Sequence, residues 1–233
     1  MIDRKSYTYM TGSSGTGKST RVQYLINILK DKYDSEFLQH EYTTQAGNTL
    51  NADTGIFFPE INTIIFSRPT IKQGTGIEGW NGMDTMKVGK PDSKQDFIDD
   101  LKRRHNDKNV LVEEYGGFAF RNRPNHVLRS DTYENSRSKY KFATGLGFER
   151  ELIVIVSYNT FQEAKDRISG RGGKIITEDS RTWEMNSYFQ NIRSNLEESL
   201  LDANGRATLI EKKFDEPVEQ FSKDWLDWMQ INL

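Results

Sequence analysis

The amino-acid sequence predicts a three-layer α/β fold, in which a parallel sheet is flanked by helices. Two observations favour this class. Segments rich in β-branched and aromatic residues alternate along the chain with segments of helical periodicity. The segment 152–156 is continuously apolar, as is typical of a strand that is buried on both faces. With 233 residues, the chain suits one domain that carries insertions.

The individual elements follow from composition and spacing. Strands are predicted where β-branched and aromatic residues cluster, at 6–11, 36–42, 61–67, 109–112, 151–156 and 207–210. Helices are predicted where apolar residues recur at helical spacing, at 18–32, 93–105, near 130–143, 160–169, 183–201 and 217–229. Loops are predicted where Gly, Pro and Asn accumulate, at 43–60 and 70–93. We expect a single domain, 1–233, with a core of 5–45, 94–116 and 150–233 and insertions at about 46–93 and 116–150.

Composition excludes several classes of function. The chain has no Cys, which excludes disulfides, thiolate metal sites and a cysteine nucleophile. Its histidines lack the spacing of a zinc hydrolase. No apolar run approaches the ~20 residues of a membrane helix, and no apolar signal core follows the first residues. We therefore expect no membrane contact and a cytoplasmic location, the host cytoplasm if the protein is viral. A net charge of −2 excludes nucleic-acid binding through overall charge alone, but permits a local basic face.

A glycine-rich loop joins the first predicted strand to the first predicted helix. It matches G-x-x-x-x-G-K-[ST], the P-loop or Walker A motif, and consists of Gly12, Ser13, Ser14, Gly15, Thr16, Gly17, Lys18 and Ser19, with Thr20 following. In this motif the glycines allow successive backbone N–H groups to point at one anion, and the helix presents its positive end to the phosphates. Lys18 is expected to reach the β- and γ-phosphates of ATP, and the Ser19 hydroxyl to bind Mg²⁺. The alternative, a plain turn with a chance lysine, is disfavoured by the flanking strand and helix.

An acidic pair, Glu113 and Glu114, follows the predicted strand 109–112. At the tip of a parallel strand near a phosphate loop, Glu113 is suited to hold the Mg²⁺ shell or to accept a proton from a substrate hydroxyl. A solvated strand end is the other interpretation, because acidic residues are common at such surface positions.

Arginines follow the predicted strand 151–156. Arg167 and Arg171 are spaced i and i+4, so they project from one face if the helix persists, and glycines flank Arg171. A glycine-flexed arginine segment is typical of a kinase lid, whose cations neutralise charge on the transferring phosphoryl group and exclude water. The alternative is an ordinary basic surface loop.

Together these blocks resemble the thymidylate-kinase branch of the P-loop kinases. The matching residues are Gly-Thr-Gly-Lys-Ser-Thr at 15–20, Val-Leu-Val-Glu-Glu-Tyr at 110–115, and Glu-Ala-Lys-Asp-Arg-Ile at 163–168 with Arg171-Gly172. The resemblance covers 6–33, 109–115 and 151–200. It implies a P-loop NTPase fold, ATP and Mg²⁺ as cofactors, and phosphate and Mg²⁺ roles for Lys18 and Ser19. Arg167 and Arg171 take the lid and adenine-side roles by the same resemblance.

Two departures from that family concern the acceptor. The family has Asp-Arg-Tyr where this chain has Glu-Glu-Tyr at 113–115, and Arg-Glu-Pro-Gly where this chain has Tyr-Thr-Thr-Gln-Ala-Gly at 42–47. Both positions lie where the 5′-phosphate of an acceptor nucleotide would be held. Bacteriophage 5-hydroxymethyluracil DNA kinases resemble thymidylate kinases but phosphorylate a hydroxymethyl group on a base within DNA. They need no such clamp, and the departures therefore favour this group.

A basic and aromatic stretch at 116–150 is the predicted DNA-binding region. Lys and Arg outnumber Asp and Glu there, Phe and Tyr are interleaved with them, and Arg121 and Arg123 are candidate substrate contacts. Cations with aromatic side chains are what a groove needs to follow a phosphate backbone and stack a base. The alternative is a solvated basic face whose aromatic residues belong to the core. In a second group, Trp80 could stack a base, or belong to the core, and Asp84 could orient a hydroxyl.

The sequence thus predicts an ATP-dependent kinase that phosphorylates the hydroxymethyl group of 5-hydroxymethyluracil in DNA. The predicted catalytic set is Lys18, Glu113, Arg167, Arg171 and Asp84, in which Glu113 or alternatively Asp84 positions the acceptor or the metal. A deoxynucleoside monophosphate kinase, thymidylate-like, is the first alternative. The second is a nucleotide-dependent nucleic-acid-binding ATPase, which the predicted lid disfavours because such an enzyme has no acceptor to shield.

Overall fold

A computed structural model describes residues 5–44, 46–71, 78–81, 100–113, 148–170, 176–191 and 206–233. Within these ranges the strands are β1 (Ser6–Gly12), β2 (Glu36–Thr43), β3 (Thr49–Phe58), β4 (Thr63–Phe66), β5 (Arg68–Ile71), β6 (Glu78–Asn81), β7 (Asn109–Glu113), β8 (Arg150–Ser157) and β9 (Ala207–Lys213). Seven of them form one sheet in the order β2-β3-β4-β7-β1-β8-β9, and β5 pairs with β6 separately. The sheet is parallel except at β3.

The described helices are α1 (Lys18–Lys30), α2 (Phe161–Ser169), α3 (Arg181–Gln190) and α4 (Val218–Met229), with a 3₁₀ turn at Pro59–Ile61 and helical residues at 100–104. Local chemistry explains where α2 begins. The Thr160 side chain accepts a hydrogen bond from the Glu163 N–H, and the Glu163 carboxylate accepts one from the Thr160 N–H. This capping box satisfies N–H groups that lack a partner within the helix. The predicted α/β class, a mostly parallel sheet with flanking helices, is confirmed.

The sheet is packed around β1, whose seven residues are all buried. Helices α1 and α4 lie side by side and contribute Val22, Leu25, Phe221 and Trp225 to a cluster that also contains residues of β1 and β8. The Trp225 indole N–H donates a hydrogen bond to the Thr8 hydroxyl at 3.0 Å, so this buried aromatic group keeps a polar partner. This hydrogen bond joins α4 to β1.

The chain connections create a crevice beyond the end of β1. After β1 the chain runs through α1 to β2 at one edge of the sheet, whereas after β8 it runs to β9 at the other edge. In open α/β sheets, ligands bind outside the carboxyl ends of the strands where the connections diverge in this way. The fold therefore favours a binding site next to Gly12, the last residue of β1.

Two loop predictions are wrong in part, because the structure has strands at 49–58, 70–71 and 78–81, while residues 72–77 and 82–93 lie outside the described residues. Residues 49–58 are not a loop but the strand β3, which pairs with both β2 and β4. Gly, Asn and Asp favour loops locally, but pairing on two sides outweighs that preference here. A Cβ at Gly55 would lie 2.9 Å from the Ile65 carbonyl oxygen, so this glycine permits close pairing rather than a turn. The second predicted loop, 70–93, contributes residues to β5 and β6.

Several predicted elements extend beyond the described residues. They are the helix near 130–143, most of 93–105, and the part of 183–201 after residue 191. In the part of the chain that the structure describes, no helix is long and apolar enough to cross a membrane.

Candidate active site

The loop between β1 and α1 has the backbone that a phosphate-binding loop requires. Gly12, Gly15 and Gly17 have φ values of 146°, 80° and 85°, a region that other residue types rarely adopt. A Cβ at Gly12 would collide with the Val156 carbonyl oxygen on β8, so only glycine fits there. The loop ends at Lys18, the first residue of α1, and its N–H groups lie at the positive end of that helix.

Lys18 lies inside this loop. Its side chain is buried, and the Nζ atom donates to the Gly12 carbonyl at 3.2 Å and to the Ser13 carbonyl at 3.0 Å. The ammonium group is therefore held against the backbone that curls around the predicted phosphate position. Contact between Lys18 and the terminal phosphates, the role that the motif predicts, stays a prediction.

Ser19 and Glu113 meet beside the loop. In the register between β1 and β7, Glu113 is the partner of Met10, and this brings its carboxylate next to the first turn of α1. The Ser19 hydroxyl donates to Glu113 Oε1 at 2.9 Å, and Glu113 is only 3% exposed. Hydroxyl and carboxylate oxygens are the donors that Mg²⁺ prefers, so the pair fits a magnesium site.

Arg167 reaches the loop from α2. Its Nε donates to the Gly15 carbonyl at 2.8 Å, and the guanidinium carbon lies 5.8 Å from the centre of the Phe214 ring. The structure therefore brings Arg167 together with Lys18 and the loop glycines. A cation between the phosphate loop and an aromatic ring is suited to contact a nucleotide.

Arg21 supports the loop through a hydrogen bond to its backbone, and the sequence analysis missed this residue. It is 1% exposed, and its guanidinium donates to the Thr16 carbonyl at 3.1 Å and to the Lys213 and Glu216 carbonyls at 2.7 and 2.9 Å. Burial lowers the pKa of this guanidinium, while Glu216 partly opposes that shift. A signal was available, since a charged residue stands on the buried stripe of α1, four positions before Leu25.

Tyr158 and Asn186 also form hydrogen bonds with the loop, and the sequence analysis missed them as well. The Tyr158 hydroxyl donates to the Ser14 carbonyl at 3.0 Å, and Asn186 on α3 accepts a hydrogen bond from the Ser13 hydroxyl at 3.2 Å. Both residues are fully buried. No local pattern could have found them, because their contacts join residues that are far apart in the sequence.

A comparison with protein families shows the family of this chain. The family model described as "5-hmdU DNA kinase 2" matches residues 5–218. The chain belongs to this family. No curated protein sequence matches it. The chain is thus an ATP-dependent phosphotransferase that acts on 5-hydroxymethyluracil in DNA, as the sequence predicted, and neither alternative function is favoured.

Other predicted site residues of the kinase lie outside the described residues, namely Asp84, Arg121, Arg123 and Arg171. Trp80 lies on β6, a strand that runs close to α1, and the structure describes only its backbone. These five assignments stay predictions.

Two residues of the predicted basic stretch, Phe148 and Arg150, contact β1 and α4. Phe148 is buried against Tyr7, with ring centres 5.3 Å apart. The Arg150 Nε donates to the Ser6 hydroxyl, and its guanidinium lies 4.1 Å from the centre of the Trp228 ring. Both therefore pack where β1 and β8 begin, at the end of the sheet opposite to the loop, because the stretch runs into β8 before it ends.

Proposed function

We propose that this DNA kinase binds the triphosphate of ATP in the loop Gly12–Ser19 and that its catalytic domain is a P-loop NTPase fold of the thymidylate-kinase type. The observation that supports this most strongly is the 2.9 Å hydrogen bond between Ser19 and Glu113. It joins the last residue of the loop to the tip of the neighbouring parallel strand, where a metal-binding carboxylate of a P-loop enzyme is expected. The glycine backbone and the buried Lys18 point to the same role.

Each group in the loop has a distinct task in this proposal. The backbone N–H groups and the amino end of α1 bind the phosphate oxygens, and Lys18 neutralises charge on the terminal phosphates. Ser19 and Glu113 would hold Mg²⁺. When bound, the ion would supply positive charge that stabilises the negative charge of the triphosphate. Arg167, next to Gly15, contributes a further cation over the same phosphates.

The reaction is an in-line phosphoryl transfer. The hydroxymethyl oxygen of the base attacks the γ-phosphorus, an oxygen–phosphorus bond forms, and the bond to the β,γ-bridging oxygen breaks. ADP leaves with that oxygen, and the hydroxyl proton passes to a carboxylate or to water. Because Glu113 is hydrogen-bonded to Ser19, we assign it to the metal side. Asp84 stays the sequence-based candidate for orienting the acceptor hydroxyl.

The acceptor side of the proposal depends mainly on the sequence. The chain lacks the monophosphate clamp of thymidylate kinases, and a base within DNA needs no such clamp. We propose that Trp80 stacks on the target base and that Arg121 and Arg123 contact the phosphate backbone. If the base lies in a duplex, it must leave the stack to reach a recessed γ-phosphate, as enzymes that modify bases generally require.

Label transfer tests this function directly. The enzyme is incubated with γ-³²P-ATP and Mg²⁺ together with one of three acceptors: an oligonucleotide that contains 5-hydroxymethyluracil, the same oligonucleotide with thymine, or free dTMP and dCMP. We expect label only in the first oligonucleotide, and none when ATP carries the label at the α position. Label in free diphosphates, or equal label in the thymine oligonucleotide, would contradict the proposal. Single- and double-stranded forms of the acceptor then show which the enzyme prefers.

A further inference from the structure

The most unusual hydrogen bonding outside the nucleotide-contacting residues centres on Asn186, in the middle of α3. Its side chain is 0% exposed and contacts two elements at once. Asn186 Oδ1 accepts from the Tyr158 N–H at 2.7 Å, and Nδ2 donates to the Tyr158 carbonyl at 3.1 Å. The amide thus pairs with the residue after β8 as the backbone of a neighbouring strand would. Nothing in the phosphate chemistry requires this arrangement, so it calls for its own explanation.

The two bonds to Tyr158 also fix which way round the amide lies. A backbone N–H can only donate and a backbone carbonyl can only accept, so Oδ1 and Nδ2 cannot be exchanged. The remaining contact, from Ser13 Oγ to Oδ1 at 3.2 Å, is therefore one in which Ser13 donates. Ser13 is the second residue of the phosphate loop and is itself buried. Its hydroxyl is thereby directed away from the phosphates and toward α3.

Tyr158 completes the connection. Its hydroxyl donates to the Ser14 carbonyl at 3.0 Å, one residue further along the same loop. Asn186 therefore acts on two successive loop residues, on Ser13 directly and on Ser14 through Tyr158. The Ser13 carbonyl is also a partner of Lys18 Nζ and of the Thr16 hydroxyl. A shift of Ser13 would displace the groups that face the phosphates.

We propose that Asn186 is a positioning residue that sets the curvature of the phosphate loop and thereby the affinity for ATP. This inference rests on the proposed function of the loop. Because Asn186 lies on α3, the same contact makes the position of the phosphate loop depend on the position of α3. Asn186 touches neither the phosphates nor the metal-binding pair, so its effect is transmitted through Ser13 and Tyr158.

A matched control is available one turn further along α3. Gln190 Nε2 donates to the carbonyls of Tyr158 and Asn159 at 2.7 and 3.0 Å. Gln190 thus ties α3 to the same segment after β8, but no hydrogen bond that the structure describes joins it to the loop. Asn186→Ala and Gln190→Ala therefore both remove a hydrogen bond to Tyr158, and only the first removes the direct contact with Ser13.

The test measures KM for ATP and kcat with the 5-hydroxymethyluracil oligonucleotide, together with the melting temperature. One buried hydrogen bond corresponds to about a tenfold change in an equilibrium constant. We expect Asn186→Ala to raise KM for ATP about tenfold, Ser13→Ala to raise it about threefold or more, and Gln190→Ala to leave it within about twofold. The double variant Ser13→Ala/Asn186→Ala should be no worse than Asn186→Ala alone, since both remove the same bond.

Three results would overturn the proposal. They are an unchanged KM in Asn186→Ala, the same rise in KM in Gln190→Ala, or effects of Ser13→Ala and Asn186→Ala that multiply in the double variant. If Asn186→Ala does not fold, Ser13→Ala decides, because removing one hydroxyl leaves α3 and β8 joined; an unchanged KM then rejects the inference. Failure of the proposed function is recognised separately, because wild-type enzyme would then show no saturation with ATP and Lys18→Ala would behave as wild type does.

Discussion

The loop side of the sheet, around β1 and the loop that follows it, differs from the edge side, around β2, in how deeply the backbone is buried. On one side, β1 is buried along its whole length, and the loop that follows it is held by Arg21, Arg167, Tyr158 and Asn186. On the other side, β2 is an edge strand in which only Tyr42 is buried. The phosphates of ATP are the same in every cycle and can be bound by a fixed backbone, whereas none of the residues that we assign to ATP lies on β2. The comparison predicts that substitutions on the loop side impair transfer much more than equivalent substitutions near β2.

The loop side and the edge side also differ in charge. Lys18, Arg21 and Arg167 converge on the phosphate loop. The exposed residues of β2 include Glu36 and Glu41, and Asp53 lies on β3 beside them. Cations near the loop suit a triphosphate, and acidic residues on this edge do not suit a DNA backbone. The described part of β2 is therefore a poor DNA-binding surface, which leaves that role to the predicted basic region.

Lys18→Ala should produce the largest effect. It removes the ammonium group from a loop whose backbone stays in place, so we expect phosphoryl transfer to fall by at least about a thousandfold with little change in melting temperature. Label transfer to the 5-hydroxymethyluracil oligonucleotide is the measurement. Lys32→Ala, which removes the same charge from an exposed position just after α1, should retain full activity. Equal activities in the two variants would remove the distinction between the two sides.

Glu113→Gln should have the next largest effect. Gln keeps the size of the side chain and a hydrogen-bond acceptor for Ser19, but it loses the negative charge that a metal ion requires. We expect kcat to fall about a hundredfold and half-saturation with Mg²⁺ to move to higher concentration. Glu41→Gln, the same change on exposed β2, is the control and should leave both values unchanged. A Mg²⁺ titration that superimposes on that of wild type would remove Glu113 from the metal site.

Arg21→Lys tests the support of the loop rather than its chemistry. A lysine has one ammonium group and cannot bond the Thr16, Lys213 and Glu216 carbonyls as the planar guanidinium does. We expect the free energy of unfolding, measured in urea, to fall by roughly 2–3 kcal/mol because buried carbonyls lose partners. Arg103→Lys, on the exposed side of 100–104, should change it by less than about 0.5 kcal/mol. A loss as small as that of the control would contradict the structural role.

The smallest effect concerns the pair His40 and His105, of which His40 lies on the edge strand β2. The Thr54 hydroxyl donates to the Leu38 carbonyl, so His40 Nδ1 donates to Thr54, and His40 Nε2 accepts from His105 Nε2 at 3.2 Å. Burial, and after it the neighbouring His105, lowers the pKa of His40 from 6.5 to about 4. His40 thus stays neutral in the folded protein at neutral pH.

This pair makes stability depend on pH in a defined window. Between about 6.5 and about 4 the unfolded chain binds a proton that folded His40 does not, so the free energy of unfolding should decrease as the pH falls through that range. Urea unfolding from pH 7 to pH 4.5 measures this. His40→Gln should give a shallower dependence on pH. A slope identical to that of wild type would show that His40 does not contribute.

The loop between β1 and α1 and the edge strand β2 could be predicted from the sequence, whereas β3, which pairs with β2, could not. Gly12, Lys18 and Ser19 form a contiguous motif whose conformation follows from glycine backbone preferences, and Glu113 followed from the parallel strand before it. The strand β3 was missed because Asn51 and Asp53 favour loops when read locally. Pairing on two sides is a tertiary effect that no local pattern carries.

The supporting residues show the same limit. Arg21 could be recognised from the sequence, because it is a charged residue on an apolar stripe of α1. Asn186 could not, because its partners Ser13 and Tyr158 are distant in sequence and come together only through the order of the strands. Sequence motifs thus identify the groups that touch the substrate more readily than the groups that hold them in place.

Calorimetric titration of the enzyme with ATP and Mg²⁺ tests the central claim most directly. If the loop Gly12–Ser19 is the phosphate site, wild type should bind one ATP per chain in a magnesium-dependent manner, and Lys18→Ala should bind at least about tenfold more weakly while Lys32→Ala binds as wild type does. Magnesium-dependent binding of equal strength in Lys18→Ala, or no binding to wild-type enzyme that transfers phosphate, would contradict the account.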